Sequence, residues 1–147
     1  MSKHATVPFE TTLLVRDTCL CLHAQRAARW LGRTFDEALR PLGLTNGQFS
    51  LLMSLNRPEP PNMGSVASLL AMDRTTLTAA LKPLERRGLV ETSLGKDRRS
   101  RIIRLTPAGQ TILAAAVPVW TDTHREVSER IGVETAQRLR RDLSALS

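Results

Sequence analysis

The stretch from Met72 to Thr106, MDRTTLTAALKPLERRGLVETSLGKDRRSRIIRLT, leaves few ways to fold. Asp73 is placed to cap a helix that starts at Arg74, and Leu77, Leu81 and Leu84 give that helix one apolar face. Gly88 suits the position just past its end, where a left-handed backbone is needed. Leu89–Ser93 and Arg101–Leu105 then read as two strands of a hairpin. Gly95 and the arginines between them allow several loop lengths, so the register stays open. Thr106-Pro107 opens the next helix, with a capping hydroxyl followed by proline in the first turn. A helix that begins with hydroxyls and a cation suits a major groove, and a cationic hairpin tip suits phosphates or a minor groove. The reading is a winged helix-turn-helix that binds duplex DNA.

The totals agree with that reading. At 147 residues the chain is long enough to bury a core without disulfides or metal. Its net charge of +7 and pI of about 10.9 favour a polyanionic partner. The charge is also concentrated: Lys96, Arg98, Arg99, Arg101 and Arg104 face the single acid Asp97 over nine residues. The only aromatics are Phe9, Phe35, Phe49, Trp30 and Trp120, too few for a binder that stacks unpaired bases. No apolar run is long enough to cross a bilayer, and no secretory leader opens the chain, so the expected compartment is the cytoplasm.

From Thr11 to about Leu39 no proline intervenes, and Leu13, Leu20, Ala24, Ala27, Leu31 and Phe35 recur at helical spacing. This predicts one long amphipathic helix after an irregular arm, 1–9. Its stripe needs cover from the C-terminal helices or from a second subunit. Arg40-Pro41 ends it. Thr45 caps a second helix, Asn46 to about Asn56, with Gln48 completing a capping box. Arg57-Pro58-Glu59-Pro60-Pro61 is a loop. Asn62 caps a third helix to about Leu70, and Ala71-Met72 turns the chain into the helix at Arg74. Pro83 within that fourth helix predicts a bend or a loosened turn. After Pro107 a fifth helix is expected to break at Pro118, resume through Trp120, His124, Val127 and Ile131, and stop at Gly132. A last helix spans Glu134–Leu146.

The segments LAMDRTTLT (70–78), LERRGLV (84–90) and DRRSRIIRLTPAG (97–109) carry a resemblance. Their order and the helices on both flanks make the chain resemble the MarR (multiple-antibiotic-resistance regulator) family over essentially its whole length. The resemblance implies a mainly α fold with a small β-hairpin wing: a winged helix-turn-helix with a helical dimerisation region. Residues 1–42 would form an arm and dimerisation helix, 43–106 the DNA-binding lobe and 107–147 the C-terminal dimerisation helices, all in one structural unit. It further implies a homodimer on a pseudo-palindromic double-stranded operator, most often as a repressor. A small aromatic or anionic effector releases many members of the family from DNA.

On this basis Arg74, Thr75, Thr76 and Thr78 are the expected contacts to base edges, with Arg74 able to fork onto a guanine. Thr75 and Thr76 could instead serve only the helix start. Lys82, Arg98 and Arg101 are expected phosphate contacts. Arg86 and Arg87 could simply solvate the end of the helix. Arg99 matches the arginine of the family's Asp-x-Arg and is the expected minor-groove probe. Asp97 would shape the wing by a bidentate pair with a neighbouring arginine. An effector pocket would draw on His23, Arg26, Trp30, Phe49, Met53 and His124. Trp30 and Phe49 could equally be plain core.

Cys19 and Cys21 lie two residues apart in the predicted first helix, which would point them to nearly opposite faces and prevent both a mutual disulfide and a shared metal with His23. Peroxide-responsive members of the family carry a cysteine in the first helix, so Cys19 is the candidate redox residue. Those members pair it with tyrosines, and this chain has none. No catalytic motif is present, and no metal or cofactor is called for.

Overall fold

The computed structural model describes residues 4–97 and 99–147. Its contacts divide the chain into two compact units, Met1–Thr34 and Phe35–Ser147.

In the first unit the expected single helix is two. Helix α1, Phe9–Thr18, stops at Cys19, whose backbone is extended (φ −70°, ψ 111°), and α2, Leu20–Leu39, begins directly after it. No glycine or proline marks the break, so helical spacing alone reads straight through it. Cys19 instead serves as the start of α2: its sulfur accepts the Leu22 N–H at 3.4 Å, and its carbonyl accepts the His23 N–H at 3.2 Å. Helix α1 also begins inside the stretch expected to be irregular, and it buries none of its residues.

The second unit starts within the last turn of α2. A short 3-10 turn, Arg40–Leu42, closes on Gly43, whose φ of 68° is left-handed. Helix α3, Asn46–Leu55, has the full capping box at Thr45 and Gln48. Helix α4, Met63–Leu70, is capped by the Asn62 side chain, and Ala71 takes a left-handed φ of 52° to turn the chain. Helix α5, Arg74–Arg86, is capped by Asp73 and runs through Pro83. Leu81 and Leu84 are buried on either side of that proline, so packing holds the helix across the missing hydrogen bond.

Strands β1, Val90–Leu94, and β2, Arg101–Leu105, pair antiparallel with Val90 opposite Leu105 and Leu94 opposite Arg101. On the far edge of β2 the Ile103 N–H donates to the Pro61 carbonyl at 3.0 Å, and Asn62 bridges to Ile102. The proline-rich loop thus covers an edge that would otherwise be bare. Helix α6, Pro107–Ile131, opens on the Thr106 hydroxyl as expected but does not break at Pro118. That proline is exposed while Leu113 and Ala116 before it and Thr123 after it are buried, so the ring meets solvent while the opposite face stays docked. Helix α7, Val133–Ser144, completes the chain.

One apolar core joins these elements. Leu39, Leu52, Val66, Leu77, Leu84 and Ile103 are fully buried in it, and Leu113 and Ala116 of α6 close it. Each such leucine contributes about 1.5–3 kcal/mol by leaving water. The core therefore fixes α5 and the hairpin as one body.

Candidate nucleic-acid interface

Helix α5 buries Leu77, Leu81 and Leu84 and leaves Arg74, Thr75, Thr76, Thr78 and Lys82 exposed. Its start is tightly held. The Asp73 carboxylate accepts the Thr76 N–H at 2.7 Å. That bond, and a second from the Thr76 hydroxyl, hold the carboxyl below its ordinary range. The Thr78 hydroxyl donates to the Arg74 carbonyl at 2.8 Å. Thr76 therefore supports the cap as well as facing solvent.

The wing loop between the strands is closed by the Gly95 N–H on the Ser100 carbonyl at 2.8 Å. Among the described residues Asp97 shapes it through the backbone. Its carboxylate accepts the backbone N–H of Arg99 at 3.2 Å, and its carbonyl accepts the Ser100 N–H and hydroxyl at 2.9 and 3.1 Å. Among the described residues it makes no ion pair with an arginine. A short acid two residues before an amide makes a local turn more readily than it reaches a long, solvated side chain. The Arg99 side chain is thereby left exposed. Arg98 lies outside the described residues.

Alternation along β2 puts Arg101 on the face shared with the buried Ile103 and Leu105, on the side of the helices. As a result the helix and the wing meet. A concavity of about 330 Å3 is lined by Asn62, Met63 and Gly64 at the start of α4, Arg74 and Thr78 of α5, and Asp97, Arg99, Ser100 and Arg101 of the wing. A neighbouring groove of about 310 Å3 adds Lys82, Glu85 and Thr92, with Thr78 and Arg101 again on its wall. The Thr92 hydroxyl donates to Glu85 at 2.5 Å, tying β1 to the last turn of α5. Sequence reasoning assigned Arg87 to solvent, yet its guanidinium donates to the Gly43 carbonyl at 2.7 Å and ties the end of α5 to the corner before α3. A left-handed carbonyl within reach of an arginine is a tertiary event with no local signal.

The candidate effector residues divide. Phe49 and Met53 line an open pocket of about 410 Å3 with Ser50, Ser54, Leu69, Val117 and Trp120. Trp120 stacks on Phe49 with centroids 6.1 Å apart, and His124 stacks on Trp120 at 4.7 Å. Trp120 was legible as a partner, since it precedes His124 by four residues on one helix. His23, Arg26 and Trp30 belong to the other compact unit. There His23 bonds the Cys19 carbonyl through Nδ1 at 2.7 Å, Arg26 is exposed and Trp30 is half-buried. Cys19 is half-buried and Cys21 exposed, and both are free thiols. The helical geometry that would have pointed them apart does not hold, because Cys19 stands outside α2.

A family model described as MarR family matches residues 44–100. The HTH-type transcriptional regulator YwoH of Bacillus subtilis (strain 168) is 32% identical over 55% of this chain, and the chain spans 59% of that relative. The transcriptional regulator HosA of Escherichia coli O157:H7 is 32% identical over 77% of this chain and 79% of its own length. Among solved structures, the Mycobacterium tuberculosis transcriptional regulator MosR in complex with DNA is 40% identical, with a TM-score of 0.80 over 88% of this chain and 93% of that one.

Proposed function

The chain belongs to the MarR family of winged-helix DNA-binding transcriptional regulators, and from that premise we propose that it is a homodimeric repressor of a pseudo-palindromic operator, released by a small aromatic or anionic effector. One observation carries the proposal: Arg74 and Thr78 of the recognition helix and Arg99 and Arg101 of the wing line a single cationic concavity. Among the described residues no acid besides Asp97 lines that concavity, and a duplex backbone supplies the matching negative charge. Thr75, Thr76 and Thr78 are the proposed base contacts, Lys82, Arg98 and Arg101 the phosphate contacts, and Arg99 the minor-groove probe. Two copies must set their recognition helices roughly 34–36 Å apart to enter successive major grooves. Residues 1–42 and 107–147 are the proposed dimerisation segments and 43–106 the lobe. The half-open pocket at Phe49, Met53 and Trp120 is the proposed effector site, apolar on its walls with two serines for orientation. An effector that favours another lobe spacing would release DNA by linkage.

Footprinting the dimer upstream of its own and neighbouring genes tests this directly. Protection of a two-fold site is the expected result. In Arg99→Ala the affinity should fall, and the log–log salt slope should shrink by about one for a lost phosphate-like contact. An unchanged slope removes Arg99 from the interface.

A second reading has its own observation, the half-buried Cys19 thiol seated at the start of α2 with the Leu22 N–H on its sulfur. In that reading oxidation at Cys19 releases DNA. Operator affinity that survives stoichiometric oxidation, with Cys19→Ser behaving identically, excludes it.

A further inference from the structure

The exposed side chains of α5 from Arg74 to Lys82 are an arginine, three threonines, one alanine and a lysine. None is Asn or Gln, which pair with adenine, and none is Asp or Glu, which accept from cytosine. Lys82 lies two turns on, which leaves Arg74 as the candidate at the helix start to read a guanine. Its guanidinium, however, lies against the start of α4: a Cβ on Gly64 would stand 3.6 Å from Arg74 Nη2. There it shares the concavity with Arg99 and Arg101. Three cations against the one acid Asp97 leave a net positive charge beside a helix N-terminus, which favours an anion there. A backbone phosphate has the size and charge for that place, and a base edge does not.

The threonines are constrained in a complementary way. The Thr78 hydroxyl proton is used on the Arg74 carbonyl. It cannot donate to a base while that bond is kept. Thr76 and Thr78 each present a methyl group on this exposed face, and Ala79 adds another.

We infer that α5 recognises its site chiefly through thymine 5-methyl groups, met by Thr76, Thr78 and Ala79, while Arg74 clamps a phosphate. This rests on the DNA-binding reading above and assigns the division of labour within it.

The test begins with a site enriched from a random duplex library by the purified full chain. Each thymine is then replaced in turn by deoxyuridine, which removes only the 5-methyl group, and each guanine by 7-deazaguanine, which removes N7. The expected result is a loss of about fourfold for each contacted methyl, with no loss at the guanines. The Thr76→Ser/Thr78→Ser variant keeps both hydroxyls, so its fold is retained, and its thymine-to-uracil affinity ratio should fall towards one. Arg74→Ala should weaken all sequences alike and lower the salt slope by about one. The inference is overturned if uracil equals thymine at every position, or if the serine variant keeps the full thymine preference. It is equally overturned if one guanine loses about tenfold on N7 removal and Arg74→Ala relaxes preference there. Failure to enrich any site would instead sink the DNA-binding reading itself, and the inference with it.

Discussion

Gly109 leaves no room for a side chain. A Cβ there would overlap the Leu89 carbonyl oxygen and press on Leu105, because the first turn of α6 crosses directly over the start of β1. The crossing is fixed from both sides: the Thr106 N–H donates to the Leu89 carbonyl at 3.1 Å and its hydroxyl to the Gly88 carbonyl at 2.5 Å. Gly109→Ala should therefore force the wing and α6 apart and destabilise the fold by about 1–3 kcal/mol, as overpacking does. The urea midpoint checks this, and a midpoint equal to the parent's would show that the crossing gives way freely. The glycine ends the segment 97–109 that carries the family resemblance, while the crossing that excludes a side chain there has no local signal. Asp97 is the opposite case. Its place in the loop was legible, but whether it held a side chain or a backbone amide depended on loop geometry that charge patterning does not encode.

At the scale of elements, what was local was legible. Thr45, Asn62, Asp73 and Thr106 cap the helices they were expected to cap, because a capping side chain reaches only two or three residues along its own chain. What failed was the weighing of local rules against packing. Pro118 was expected to break α6, and the buried residues on both sides of it prevail. The break at Cys19 has no breaker residue at all. A capping contact of longer reach joins α2 to α3: Asp36 accepts the Asn46 backbone N–H at 2.7 Å and its side-chain amide at 2.8 Å. These bonds hold the Asp36 carboxyl below its ordinary value of 3.8, the backbone bond most strongly. The lowered value means the folded state binds its proton later than the unfolded chain. The stabilisation is complete above 3.8 and is lost as pH falls through the folded value. Asp36→Asn should thus lower the Tm near neutrality and flatten its fall below about pH 4. Parallel curves for the two proteins across that range would show that Asp36 is not the group responsible.

At the scale of the whole molecule, apolar side chains are left exposed on the terminal helices. Phe9, Leu14 and Val15 are exposed on α1, and Leu139 and Leu143 on α7 are 44% and 47% exposed. A second copy is the proposed cover of these faces. Leu143→Glu should shift the protein from dimer to monomer by sedimentation equilibrium and reduce operator affinity, with its helical content intact. A dimer that persists in Leu143→Glu would place the interface elsewhere. The arrangement of α5 bears on what such a dimer demands of its target. The helix is pinned by Asp73 at one end and by Arg87 on Gly43 at the other, with Glu85 tied to the wing. A reader fixed at both ends cannot tilt or unwind to follow an imperfect groove. Adjustment then falls to the duplex, and sites whose uncontacted central steps bend easily, such as TA and CA, should outcompete stiffer sites with the same contacted bases.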